Sequence, residues 1–258
     1  MVVIGVAAIV ASRSDSHSTS GAELAPASLV AKTTSVPASV FDAVGTGTAT
    51  GAPKPVKAPA LSENGKPEIL YMGAEYCPYC ATERWPMVIA LSRFGTFSNL
   101  ETTHSSPNDV YPNTQTFSFH DASYSSPWIS FTGKELQSNQ QQGDGYAPLD
   151  TPTPEQQQIL DTYDRAPYIG NSSASSGGIP FIDFGGKFVS GGASYDPSVL
   201  QGKTADEIAA ALHDPTSDIA RGAIGTANTF TAAICSLTHN QPTAVCTSPA
   251  ITKIEATR

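Results

Sequence analysis

A short apolar run, Ile69-Leu70-Tyr71-Met72, leads through Gly73-Ala74-Glu75-Tyr76 into Cys77-Pro78-Tyr79-Cys80, where a helix is expected to begin. Two cysteines separated by two residues at a helix start can close a small disulfide ring. Cys77 then sits at the positive end of the helix dipole, where unpaired backbone N–H groups stabilise a thiolate and bring its pKa from about 8.5 into roughly 3.5–7.5. The motif reads as a redox dithiol, with Cys77 as nucleophile and Cys80, one turn inside, as resolving thiol. A zinc site would need about four N or S ligands, and there is no second CxxC and no histidine within a few residues of the first. A purely structural role is disfavoured because so tight a ring removes little loop entropy.

A second motif lies about a hundred residues downstream. Gly177-Gly178-Ile179-Pro180 precedes Phe181-Ile182-Asp183-Phe184, then Gly185-Gly186-Lys187, then Phe188-Val189-Ser190-Gly191-Gly192. This reads as a strand opening at a proline, a Gly-Gly-Lys hairpin turn, and a second strand ending in glycines. With both motifs in hand, the chain resembles the thioredoxin superfamily. Ala74-Glu75-Tyr76-Cys77 is similar to the thioredoxin lead-in, Pro78-Tyr79 to the glutaredoxin dipeptide, and Ile179-Pro180 to the cis-proline loop that faces the dithiol.

The resemblance implies an α/β fold with a central mixed sheet flanked by helices, and a strand and helix insertion between the CxxC helix and the cis-proline strand. It also implies roles. Cys77 exchanges with the substrate sulfur, Cys80 resolves the mixed disulfide, Ile179 pairs its backbone with the substrate chain, and Pro180 keeps a backbone N–H and stray metal from the sulfurs. One position departs from the pattern: where thioredoxins carry a buried Asp on the strand, this chain has Tyr71, whose phenol cannot act as a base at neutral pH. Pro78, Tyr79 and Tyr71 are therefore the residues expected to tune the site.

A narrower resemblance rests on Gly73–Cys80, Glu83-Arg84-Trp85, Ala90–Gly95 and the late Ile-Cys and Val-Cys pair. These runs are similar to a prokaryotic family known as domain of unknown function 929, which implies a fold and a dithiol without a substrate.

The 258 residues suffice for one α/β core of about 150–200 residues with extensions. With 14% charged residues and a net charge of −9, no basic patch is available to follow a phosphate backbone, so nucleic acid is not an expected partner. Residues 1–11 carry apolar runs without charge but are about half of the ~20 residues that span a bilayer. They read as a remnant of a membrane anchor or signal segment. Residues 12–59, rich in Ala, Ser, Thr, Gly and Pro, read as a flexible linker, with Ser39–Val44 able to dock as a short element. An anchor, a linker and four cysteines point to an oxidising compartment outside the cytoplasm.

The domain proper is expected over 60–258. Trp85, Val88, Ile89 and Leu91 mark a core helix interrupted by Pro86 and closed at Phe94-Gly95. Within the insertion, about 101–176, Leu100–Ser105 suits the second strand of the fold. Thr116–Phe119 and Trp128–Phe131 read as two more strands, with Tyr124–Pro127 suggesting a hairpin between them. Phe117, Phe119, Trp128 and Phe131 are read as a small core rather than a peptide groove. Thr153-Pro154-Glu155-Gln156 is a capping box opening a helix to about Arg165, and Thr204–Glu207 opens another, expected to pack on the sheet. In a C-terminal extension of about 215–258, Ile219, Ala223, Ala227, Phe230 and Ile234 recur at helical spacing. Cys235 and Cys246 can close a loop of about ten residues as a structural disulfide, the alternative being a second redox pair that relays electrons to Cys77.

The expected function is an extracytoplasmic thiol–disulfide oxidoreductase, membrane-anchored or secreted, acting on cysteine-containing exported proteins without cofactor or metal. The alternatives are a reductase fed by a membrane redox partner, a thioredoxin-like binding module, and a Cu(I) chaperone using the two soft thiolates.

Overall fold

Lys66–Gly73 is the strand around which the computed structural model is organised; the structure describes residues 21–169 and 178–257. In chain order, β1 (Glu23–Leu24), α1 (Ala27–Thr34), α2 (Ala38–Val44) and β2 (Lys54–Pro55) lead to the hairpin β3 (Ser62–Glu63) and β4 (Lys66–Gly73). The dithiol then opens α3 (Pro78–Ser92). Seven short strands follow: β5 (Thr96–Ser98), β6 (Glu101–His104), β7 (Gln115–Ser118), β8 (Ser123–Ser125), β9 (Ser130–Glu135), β10 (Gln137–Gln142) and β11 (Gly145–Pro148). After α4 (Pro154–Tyr163) come β12 (Phe181–Phe184) and β13 (Phe188–Gly191), a 3-10 turn at Pro197–Leu200, and the helices α5 (Ala205–Ala211), α6 (Asp218–Leu237), α7 (Thr243–Cys246) and α8 (Pro249–Glu255).

The central sheet is mixed and flanked by helices. β4 pairs antiparallel with β12 and parallel with β9, while β13 and β2 extend the sheet beyond β12. Alternation along β4 sends Ile69 and Tyr71 into the larger core, which includes side chains of α3 and α6, and Leu70 and Met72 into a smaller core with Leu160 of α4. Both faces are covered, which is why this strand reads as a continuous apolar run. The β12–β13 turn requires its glycines: Gly185 and Gly186 have φ of 64° and 70°, and Asp183 accepts the Gly186 N–H at 2.6 Å.

Several expectations are met. Both capping boxes are present, at Thr153 and Thr204; the helix marked by Ile219 through Ile234 forms as α6, although it is buried on all its faces rather than being amphipathic; and Cys235 is bonded to Cys246. Phe117 and Phe119 are buried in the larger core with Trp128 and Phe131 packed against it, so these aromatics are core.

Other expectations are corrected. The run Ser39–Val44 does dock, as α2, but the rest of the supposed flexible linker 12–59 is corrected: the described residues 21–59 also carry α1, and the two helices bury Leu29, Val40 and Phe41 against the body of the protein. Asn228 of α6 donates to the carbonyls of Phe41 and Gly45 at 2.9 and 2.7 Å, and the Arg93 guanidinium lies 4.3 Å from the Phe41 ring. The small apolar set at helical spacing was masked by an Ala- and Ser-rich average composition. Leu100–Ser105 does not supply the neighbour of β4: β6 joins a separate sheet with β1 and β7, and β9 takes the parallel position. The hairpin expected around Tyr124–Pro127 does not form, since β7 pairs with β6, and Tyr124 belongs to β8, paired with β5. The helix opened at Thr204 packs on α1 and α6 rather than on the sheet, where α6 contacts β12. Residues 1–11, the expected anchor remnant, lie outside the described residues, among which no helix is long and apolar enough to cross a membrane.

Two stability predictions follow from these anchors. Cys235 and Cys246 are buried and close a loop of sequence separation 11, so replacing both by Ala should cost about 2–3 kcal/mol in chemical denaturation. The second concerns Glu83 on α3, whose carboxylate accepts from the Ser194 N–H and hydroxyl at 2.9 and 2.6 Å. Burial outweighs these bonds and raises its pKa from 4.5 to about 7. The folded protein therefore retains a proton that the unfolded chain releases. Stability should fall as pH rises from about 4.5 to about 7, and Glu83→Gln should flatten that decline in melting temperature.

Candidate active site

The loop Gly73–Tyr76 delivers the dithiol to the start of α3. Cys77 is the N-cap of the helix and Pro78 its first residue, a position where the missing N–H of proline costs nothing. The Cys77 sulfur takes the capping role, accepting the Cys80 N–H at 3.3 Å. Ile179 and Pro180 are joined by a cis bond just before β12, and the Ile179 carbonyl oxygen lies 3.8 Å from the Cys77 sulfur. The two sequence motifs, a hundred residues apart, thus meet through the pairing of β12 with β4.

The two thiols are unbridged and differ chemically. A side-chain hydrogen bond from Cys80, helped by its backbone N–H and by the positive charge of Arg84, lowers the Cys77 pKa despite the opposing effect of burial. Burial, followed by the interaction with Cys77, pushes Cys80 well above the usual thiol range. Cys77 is only 5% exposed, so it is not the open surface thiol that its proposed role suggests, while Cys80 is fully enclosed.

Beneath the dithiol lies a charge pair that the sequence did not disclose. Arg84, on the second turn of α3, and Glu135, at the end of β9, are both 0% exposed. Arg84 Nε and Nη2 donate to the two Glu135 oxygens at 2.8 and 2.6 Å, and Nη2 also donates to the Ala74 carbonyl at 2.6 Å. Glu135 further accepts the Phe119 N–H at 3.2 Å. Removing one member of such a pair strands a buried charge and typically costs about 3–5 kcal/mol.

Tyr71 occupies the place where the resemblance led one to look for an acid. Its ring packs edge-on against Phe119 with centroids 4.9 Å apart, and the Arg84 guanidinium carbon lies 5.9 Å from its centroid. Burial raises its pKa well above the ordinary phenol value, so it stays neutral. Among the described residues its hydroxyl has no hydrogen-bond partner.

The segment between α3 and α4 encloses the motif. Tyr76 stacks on Tyr146 at 4.2 Å and 4°, and its carbonyl accepts the Ser106 N–H at 2.7 Å. The Tyr146 hydroxyl donates to Ser106 at 2.6 Å. Glu75 accepts from the Ser118 hydroxyl at 2.7 Å, and its N–H donates to the Gln137 carbonyl at 2.9 Å. Tyr79, 41% exposed, meets Tyr111 edge-on at 6.1 Å. Arg84, Glu135, Ser106 and Tyr146 were missed by sequence reasoning. The available signal was a Glu83-Arg84 pair inside an otherwise apolar helix, which demands internal partners without naming them.

No group of three or more His, Cys, Asp or Glu side chains that could hold a metal ion occurs among the described residues. His104 and His213 meet the carbonyls of Ser105 and Lys32, and His120 lies between Asp150 and Asp121.

Fold and site together define a mixed α/β protein carrying a CxxC dithiol at a strand-to-helix junction. The family model described as Domain of unknown function (DUF929) matches residues 54–236, and the chain belongs to that family. No curated protein and no solved structure matches the chain.

Because Cys77 has both the lowered pKa and the residual exposure, iodoacetamide at neutral pH should label Cys77 in the native reduced protein and reach Cys80 only after denaturation. Peptide mass mapping reads the order, and Cys77→Ser should abolish native labelling; equal labelling of both thiols would contradict the assignment.

Proposed function

We propose that this protein is a thioredoxin-like thiol–disulfide oxidoreductase that forms or reshuffles disulfides in exported cysteine-containing proteins through a Cys77 mixed disulfide. The observation that carries the reading is the asymmetric dithiol, in which Cys77 is acidified and Cys80 held as a buried thiol, set against Ile179-Pro180. The strand order supports the thioredoxin-like description: β4 leads into the dithiol, β9 lies parallel to it, and the β12–β13 hairpin lies antiparallel on its other side.

In the oxidising direction, a substrate thiolate attacks Cys77 of the closed Cys77–Cys80 disulfide. A substrate–Cys77 disulfide forms and Cys80 leaves as thiolate, taking up a proton as burial favours. A second substrate thiolate then attacks the substrate sulfur of the mixed disulfide, forming the substrate disulfide and releasing Cys77 as thiolate. Two electrons have passed to the dithiol, and an external disulfide oxidant, supplied by a membrane redox partner, restores it. In the reshuffling direction, the Cys77 thiolate opens a substrate disulfide and is later displaced by another substrate thiolate, with no net electron transfer. The lowered pKa of Cys77 favours its role as the leaving group in both directions.

The neutral Tyr71 offers no base for Cys80, which slows release of a reduced substrate and weighs against a reductase. The buried Cys235–Cys246 bond supports placement in an oxidising compartment outside the cytoplasm, membrane-anchored through residues 1–11 or secreted. The tyrosine-rich segment around the motif is the proposed region of substrate selection, with Ile179 as the docking backbone.

Equilibration against glutathione redox buffers should give a potential of about −200 to −230 mV. A Cys80→Ser variant should accumulate Cys77-linked mixed disulfides with exported proteins. A potential below about −260 mV with fast insulin reduction would assign the reductase role instead.

A further inference from the structure

One buried side chain, Arg84, reaches the backbone of the loop that carries the dithiol. The Ala74 carbonyl receives two donors, the Cys77 N–H at 3.2 Å and Arg84 Nη2 at 2.6 Å. The same guanidinium is forked onto Glu135 of β9 by two further bonds, and the Glu135 N–H is bound by Asp150 at 2.8 Å. The third nitrogen, Nη1, is buried and has no hydrogen-bond partner among the described residues. A guanidinium enclosed at 0% exposure with one nitrogen unspent keeps its field inside the protein, where screening by water is weak.

We propose that Arg84 is the positioning residue of the dithiol: locked to Glu135, it clamps the Ala74 carbonyl that also anchors the Cys77 N–H, and so fixes the Cys77 sulfur against the first turn of α3. Planarity matters, because the fork reaches a carboxylate and a backbone carbonyl at once, which an ammonium on a flexible stem does not reproduce. The charge has a second effect, since it favours the thiolate at Cys77 and acts in the same direction on Cys80. Glu135 of β9 opposes it at Cys80, and the two sulfurs in turn raise the phenols of Tyr71 of β4 and Tyr76 of the loop.

This inference rests on the reading of Cys77 as the reactive thiol and is tested without any substrate. Thiolate absorbance of the reduced full-length protein is followed against pH, together with the pH profile of iodoacetamide alkylation. Arg84→Met/Glu135→Leu removes both charges together and leaves no buried ion unpaired. In that variant the Cys77 transition should move up by about one unit, with alkylation at neutral pH slowed about tenfold. Arg84→Lys, which keeps a charge, should show an intermediate shift, and it decides the matter if the double variant does not fold. A folded double variant, or failing that a folded Lys variant, with an unchanged transition overturns the proposal. A shifted transition in a protein that exchanges no disulfides leaves the clamp standing and removes the oxidoreductase reading instead.

Discussion

Helix α3 is enclosed on nearly every side, and that enclosure is the constraint from which the rest of the architecture follows. From Pro78 to Leu91, Tyr79 alone is exposed. Two charged residues, Glu83 and Arg84, sit inside this stretch, and burying a charge without a partner is far more costly than burying any apolar group. Each therefore dictates a neighbour. Glu83 fixes the Ser194 loop, whose carbonyl receives Thr50 from the N-terminal region, and Arg84 fixes the end of β9 and the loop leading to Cys77. The sheet edge, the N-terminal segment and the dithiol are all referenced to one turn of one helix.

The site shows how a protein can separate the chemistry of two identical side chains a single turn apart. Cys77 receives hydrogen bonds that suit a negative sulfur and retains slight exposure, whereas Cys80 is sealed and inherits the cost of burial. Nothing in the residue types distinguishes the two thiols. Their difference arises first from the hydrogen bond that the Cys80 thiol gives Cys77 and from the deeper burial of Cys80, with the first N–H groups of the helix adding to it at Cys77.

Features that depend on local chain chemistry were legible in the sequence: the strand into the dithiol, the capping boxes at Thr153 and Thr204, the Gly185-Gly186 turn and the helical spacing of Ile219 through Ile234. The hidden features depended on pairing at a distance. Arg84 and Glu135 are 51 residues apart, and no periodicity links them. Leu100–Ser105 reads as the second strand of the fold, yet β9 is the strand parallel to β4, because the two short strands differ in what lies beside them rather than in their own residues. Helix α2 was legible in the apolar residues of Ser39–Val44, whereas α1 is hidden in an average: a few apolar residues suffice when the docking surface is already built, and composition alone reports the surrounding Ala and Ser.

The docking of α1 and α2 has a consequence for what counts as the unit of this protein. The stretch shared with the family runs from 54 to 236, yet α1, α2, α7 and α8 lie beyond it; α2, α7 and α8 pack on α6, and α1 packs on α3 and α5. The carbonyl of Thr46 runs so close to Gly225 that a side chain larger than hydrogen would strike it. Glycine at that point of α6 is meaningful only in a molecule that includes the preceding segment. The matched stretch and the packed body therefore have different borders here, and an excised 54–236 fragment would bare the faces of α6 that α2, α7 and α8 cover.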